Sequence, residues 1–241
     1  MPTILVSGAA NGLGAAFVET YRTQQDTRII AIDKAPIEVT HSNVTTFTVD
    51  VTSQDSIDRL SASVGSQPID LLVHSAGIRG LVPRVEAEKP DDVAACETMD
   101  VIDFATLTRT FQINAAGTFM LLRALTPNLR RAGNAKVIVI SSRMGSLGNN
   151  SAGNRAAGAA YAYRASKAAL NAIVRSFAVD VPEVTYVLCH PGRVETKLVK
   201  CFEEGAISAA ESVDGLLPLI LAWSKADSGK FYDRFGDPIE W

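Results

Sequence analysis

The chain has 241 residues, 47% hydrophobic content and a formal net charge of −3. That is apolar material for one large core, and without any Lys/Arg-rich run there is no electrostatic footprint of a nucleic-acid binder. Cys96, Cys189 and Cys201 are odd in number and form no Cys-x-x-Cys pair, so no disulfide framework or zinc site is indicated; no apolar run nears the roughly 20 residues of a bilayer span.

Met1-Pro2-Thr3-Ile4-Leu5-Val6 enters a strand-like run at once, without a charged leader, and so reads as cytoplasmic. Ser7-Gly8-Ala9-Ala10-Asn11-Gly12-Leu13-Gly14 interrupts that run, and a helical pattern follows with Leu13, Ala16, Phe17, Thr20 and Tyr21 on one face. Arg28 to Ile32 and Thr45 to Val49 read as strands ending at Asp33 and Asp50. Ser53 reads as the N-cap of a helix to Val64. Ile69 to Val73 is a fourth strand, closed by His74-Ser75-Ala76-Gly77. Glu86 to Asp103 reads as loop with some helix, and Phe104 to Arg131 as one long helix closed by Gly133. Lys136 to Ile140 is a fifth strand running into Ser141-Ser142, and Gly145 to Gly158 is a small-residue loop. A helix then carries Tyr161-Ala-Tyr163-Arg-Ala-Ser-Lys167 as far as Asp180. Val184 to Cys189 is a sixth strand, Ser208 to Trp223 a last helix, and Lys230 to Tyr232 an edge strand. Short apolar strands alternating with amphipathic helices predict an α/β class: one doubly wound domain over residues 1–241, with a parallel sheet of about seven strands.

Three features carry chemistry. Gly8, Gly12 and Gly14 occupy the first strand–turn–helix junction. There glycines permit a tight turn, close backbone approach to a pyrophosphate and close helix packing, and the helix N-terminus offers free N–H groups. Asp33, at the end of the second strand, is placed to bond ribose hydroxyls and to repel a 2′-phosphate. This favours NAD over NADP, although the neighbouring Lys34 can pair with such a phosphate. Asp50 can accept from an adenine amino group. Finally, Tyr163 and Lys167 are four residues apart, about 40° on a helix, and project together, whereas Tyr161 points elsewhere. An ammonium beside a phenol stabilises the phenolate and makes Tyr163 an acid/base candidate.

Taken in order, Ser7-Gly8-x-x-x-Gly12-x-Gly14, His74-Ser75-Ala76-Gly77, Asn114 in Phe111-Gln-Ile-Asn-Ala, Ile140-Ser-Ser142, Tyr163-x-x-x-Lys167 and Pro191-Gly192-Arg-Val194-Glu-Thr196 resemble the motifs of the short-chain dehydrogenase/reductase family. Within that family the chain looks closest to the Sniffer-like and C-factor-like carbonyl reductases. The resemblance implies a Rossmann-type fold and hydride transfer between a nicotinamide cofactor and a carbonyl or alcohol. It implies Asn114, Ser142, Tyr163 and Lys167 as the catalytic set, with Asn114 holding a proton-passing water. It further implies cofactor contacts from Gly8, Asn11, Gly12, Leu13, Gly14, Asp33, Asp50, Val51, Ala76, Gly77, Tyr163, Lys167, Pro191, Gly192, Val194 and Thr196. The assembly implied is a homodimer or homotetramer built on the helices Phe104–Arg131 and Tyr161–Asp180, acting on a small-molecule substrate without metal. Two departures stand out. His74 and Ser75 replace two asparagines, and Ser142 lies 21 residues before Tyr163, a longer gap than is usual in the family. The usual spacing would fall beside Ser151, so Ser151, Ser146 and Ser141 stay open beside Ser142, which a strand's carboxyl end favours.

A dinucleotide-binding sensor or signalling protein is the alternative, and a sugar-nucleotide epimerase a third reading with little room for its substrate domain. The substrate pocket is expected from Arg79–Glu86, Arg143–Ala160 and Lys197–Ile207, with Arg143, Arg155 and Arg193 as candidates for an anionic group.

Overall fold

Along each inner strand, successive side chains enter two different apolar layers, as the two-residue repeat of a strand requires. Ile4 and Val6, Ile29 and Ala31, Ile138 and Ile140, and Val187 and Cys189 face one layer. Leu5, Ile30 and Ile32, Val137 and Val139, and Tyr186 and Leu188 face the other. A computed structural model describes residues 1–24, 26–154, 158–199, 201 and 204–241. Arg155, one of the residues considered for an anionic substrate group, lies outside the described residues.

The strands are β1 (Thr3–Ser7), β2 (Arg28–Asp33), β3 (Val44–Thr48), β4 (Leu71–His74), β5 (Lys136–Ile140), β6 (Thr185–His190) and β7 (Lys230–Asp233). They form one all-parallel sheet in the order β3-β2-β1-β4-β5-β6-β7. The helices are α1 (Gly12–Arg22), α2 (Gln54–Val64), α3 (Pro83–Glu88), α4 (Phe104–Phe111), α5 (Gly117–Arg131), α6 (Tyr161–Asp180) and α7 (Ala209–Ala222). α1 and α7 cover one face of the sheet, and α2, α5 and α6 cover the other. The strand order reverses between β1 and β4, so a crevice opens at their carboxyl ends. The doubly wound single-sheet architecture is the one the alternating pattern predicts. Ser53 caps α2 by accepting from Ser56 N, as expected of that residue type.

One helix departs from expectation. The stretch from Phe104 to Arg131 is broken by a π-helical turn, Gln112–Ala116, between α4 and α5. Tertiary and local contacts meet at it. Asn114 is held from outside the helix by the Ile78 backbone. Gly117 packs so closely on Val51 that a Cβ would sit 2.7 Å from Val51 Cγ2. Thr118 Oγ1 donates to the Asn114 carbonyl at 2.8 Å, which takes up a backbone acceptor beside the widened turn. A one-residue widening leaves the apolar stripe continuous, so periodicity does not register it. Such turns recur at functional sites.

Candidate active site

A cleft of about 1400 Å³ runs along the carboxyl ends of the strands, from Asp33 at one end to Tyr163 at the other. Its Asp33 end is made by β1 and α1. Gly8 has φ 71°, and a Cβ there would lie 2.8 Å from Ala76 N; Gly12 has φ 55°. Asn11 is extended and makes no side-chain cap on α1, so the first-turn N–H groups are left for an anion. Gly14 does not line the cleft. A Cβ there would sit 2.1 Å from Gly8 O, so its part is to let α1 pack against the turn. Asp33 accepts from Ala10 N at 3.0 Å and Ala35 N at 2.9 Å, which fixes its carboxylate at the cleft rim. Lys34 is engaged by Asp50 at 2.7 Å. That contact, with the Thr52 hydroxyl, pulls the Asp50 carboxyl down to about 2. Asn11, Leu13, Val51, Ala76, Gly77, Pro191, Gly192, Val194 and Thr196 also line the cleft. The Pro191 carbonyl is anchored by Ser212 Oγ at 2.7 Å. A close-packed glycine turn, an uncapped helix end and a rim carboxylate suit an elongated dinucleotide.

At the other end, Tyr163 is buried on α6 while Tyr161 is 44% exposed, so the two phenols face differently, as helix geometry requires. Lys167 Nζ lies 5.8 Å from the Tyr163 ring centroid and donates to Ile140 O at 2.9 Å. Burial lowers its ammonium to about 8. Gly145 lets the segment after β5 lie against this helix, for a Cβ there would meet the Lys167 backbone at 2.8 Å. Ser142 lines the cleft and accepts from Met144 N, so its own proton can be directed inward. The other serines are used or placed differently. Ser141 Oγ donates to Asn171 Oδ1 at 2.6 Å, Ser146 Oγ accepts from Asn149 N, and Ser151 is exposed in the following loop. Asn114 is buried, and its amide bonds both Ile78 backbone groups and Ser166 Oγ. Its amide thereby ties the segment after β4 to α6.

A short-chain dehydrogenase family model matches residues 2–206. The chain belongs to the short-chain dehydrogenases. These are oxidoreductases that use a nicotinamide cofactor. C-signal of Myxococcus xanthus is 38% identical over 183 residues, spanning 75% of this chain and 98% of that one. The 1-hydroxy-2-glutathionyl-2-methyl-3-butene dehydrogenase of Rhodococcus sp. (strain AD45) is 30% identical over 248 residues, with both chains fully covered. Among solved structures, an NADPH-bound carbonyl reductase from chicken fatty liver superimposes with a TM-score of 0.84 at 26% identity, covering 100% of this chain and 99% of that one.

In this short-chain dehydrogenase His74 does more than replace an asparagine. Thr118 Oγ1 spends its proton on the Asn114 carbonyl, so it accepts from His74 Nε2 at 2.8 Å. Nδ1 therefore accepts from Ser7 Oγ at 2.7 Å, and Ser7 Oγ accepts in turn from Ser75 N and Ala76 N. The ring is neutral with its proton on Nε2. Burial, and secondarily Lys167, lower it to about 3.

The cleft also has walls that sequence reasoning missed. Of Arg79–Glu86 only Arg79 reaches it; Val82 and Val85 pack against Cys96 in a separate small core. The segment after β7, from Arg234 to Glu240, lines the cleft instead. Parallel strands end on one side of the sheet, so whatever follows β7 emerges there; that placement, and no motif, was the available signal. Arg143 is spoken for by buried Asp233 at 2.7 Å, and Arg193 by the Glu204 carbonyl at 3.0 Å. His190 lines the cleft with a buried Nδ1 that has no partner among the described residues, and burial lowers it to about 4.

Because His74 is neutral when folded but takes a proton near its ordinary value of about 6.5 when unfolded, its contribution is complete above that pH and is lost as pH falls towards 3. Between pH 7 and 5 this costs about 2 kcal/mol of stability. His74→Asn should flatten that part of the urea-unfolding stability against pH; an unchanged slope would mean that His74 does not carry it.

Proposed function

We propose that this short-chain dehydrogenase moves a hydride between a nicotinamide cofactor, NAD in preference to NADP, and a carbonyl or secondary alcohol carbon of a small molecule. The observation that carries the reading is the burial of Tyr163, Lys167 and Ser142 around one end of a cleft whose other end holds the glycine turn and Asp33. When bound, the nicotinamide supplies or accepts the hydride. In reduction Tyr163 gives its hydroxyl proton to the carbonyl oxygen, and Ser142 Oγ donates a hydrogen bond to the same oxygen as charge gathers there. Lys167, when protonated, stabilises the phenolate left behind. The names of the carbonyl reductase and of the Rhodococcus dehydrogenase of a hydroxy compound support chemistry between C=O and CH–OH.

The chicken reductase carries NADPH. For this chain Asp33 argues the other way, and Lys34, the cation beside it, is already engaged by Asp50. A second reading, a dinucleotide-binding signalling protein, is supported by the 38% identity to C-signal; a proton donor buried in the cleft is a feature that a pure binder does not need. For assembly, Phe104 is 83% exposed, Phe111 47% and Phe119 39%, all on the helical stretch before β5. Phe119 stands 5.7 Å from Phe177 of α6. We read this face as the seat of a homodimer or homotetramer.

Tyr163→Phe should abolish most turnover in single-turnover reduction of an accepted carbonyl and leave NADH affinity nearly intact. Lys167→Ala should damage both, and Tyr161→Phe should turn over normally; a dead Tyr161→Phe would contradict the assignment. No turnover across a broad carbonyl and alcohol panel, with NADH still bound, would favour the signalling reading. In fluorescence titrations the native chain should bind NADH more tightly than NADPH, and Asp33→Ser should narrow the gap by improving NADPH binding. Tighter NADPH binding before any substitution would assign the preference to Lys34. Light scattering at micromolar concentration should give a dimer or tetramer, and a clean monomer would sink that assembly.

A further inference from the structure

Arg79 stands in the turn after β4 and carries a cation into the catalytic end of the cleft. Its guanidinium carbon lies 4.8 Å from the centroid of the Tyr163 ring. Nε and Nη2 each donate to the Glu97 carboxylate at 2.8 Å, and Nη1 lies 3.2 Å from Met144 Sδ. The Arg79 side chain is only 16% exposed and that of Glu97 8%. Taking both charges out of water is costly, and a buried pair is weak evidence of stabilisation for its own sake. Glu97 is also fixed through its backbone. Its carbonyl accepts from Ala160 N at 3.0 Å. Ala160 and Ala159 have φ 48° and 44° just before α6 begins, a region that side chains seldom adopt. Glu97 therefore ties the start of the Tyr163 helix and the cation on the Tyr163 ring to one residue.

We propose that Arg79 and Glu97 form a positioning pair that sets the acidity of Tyr163: Arg79 favours the phenolate across the ring face, and Glu97 determines how much of that charge the phenol feels. The proposal rests on the acid/base reading of Tyr163. A cation on a ring face interacts more strongly with the electron-rich phenolate than with the phenol, and a carboxylate bonded to that cation offsets part of its field. Among the described residues, the other titratable or charged groups around this end of the cleft include Lys167 and Arg164 on α6, Arg109 on α4, Arg143 and His190 at the ends of β5 and β6, and Asp233 and Arg234 at the end of β7. His74 lies behind Lys167, close enough to feel its charge. All of these stay in place in the variants below, so a change reports on the pair.

The test uses the full chain with Arg79→Met, Glu97→Gln and the double substitution. Phenolate formation at Tyr163 is read as the ultraviolet difference between each protein and the same protein carrying Tyr163→Phe. The pH profile of kcat for carbonyl reduction is recorded alongside. Removing the cation should move the phenolate transition, and the alkaline fall of kcat, to higher pH by about one pH unit. Glu97→Gln leaves the cation without its counter-charge and should move both to lower pH, with the double variant displaced upward. A purely structural pair would lower kcat in both single variants without moving the transition in opposite directions. That result, or no movement, overturns the proposal. Should Arg79→Met fail to fold, Glu97→Gln decides: a downward movement supports the pair, and an upward one or none removes it. If Tyr163→Phe keeps full turnover, the acid/base reading fails, and the ultraviolet titration still decides whether Arg79 and Glu97 act on the phenol.

Discussion

A single run of hydrogen bonds holds the two halves of the cleft in register. It starts at Ser75 N and Ala76 N on Ser7 Oγ, passes through His74 and Thr118 to the Asn114 carbonyl, and so joins the glycine turn to the π-helical turn. From the Asn114 amide it continues to Ser166 Oγ, which donates to the Tyr163 carbonyl at 2.8 Å. Every group in the run is paired with a defined donor direction, which is how a buried polar network becomes specific instead of costly. The glycine turn and the tyrosine helix are distant in sequence, and this path links them directly.

The site sorts its charges by burial. At the glycine-turn end Asp33, Lys34 and Asp50 sit at the rim and are held mainly by backbone amides and by each other. At the chemical end Lys167, Arg79 and Glu97 are withdrawn from water. Electrostatic effects on a phenol are large where water does not screen them, so a few fixed charges there influence proton transfer more than many surface ones. Burial also loosens the hold of Lys167 on its own proton, lowering it to about 8. The lysine beside the phenol thus titrates at about 8, whereas the guanidinium of Arg79, nearer the ring at 4.8 Å, stays charged throughout.

Much of the architecture could be read in advance. The alternation of short apolar runs with amphipathic stretches corresponds to a sheet covered on both faces, and the strand ends fall within a residue or two of where the apolar runs stop. The opposed faces of Tyr161 and Tyr163 follow from 3.6 residues per turn alone. The π-helical turn was not legible, because the contacts that surround it, from Ile78 and Val51, come from other parts of the chain. Two of the expected walls, the loop after Arg143 and the stretch from Lys197, do reach the cleft; the third was misread for the same reason, since Gly80–Glu86 folds into its own small core, while the stretch after Asp233 comes to the cleft because β7 is parallel to β6.

By itself the sequence determined the local terms: which segments are strand or helix, where glycine is needed for a turn, and that a phenol and an ammonium share a helix face. These depend on residues within a few positions of one another, and period and propensity report them. Only the tertiary structure decided that Ser141 is bonded to Asn171 while Ser142 accepts from Met144, that Lys34 meets Asp50, that the Asn114 amide bonds Ile78 and Ser166, and that Arg79, paired with Glu97, stands over the Tyr163 ring. Those outcomes depend on pairings between residues far apart in the chain, such as Ser7 with His74 or Arg79 with Tyr163. They exist only once the sheet has brought its strand ends to one side.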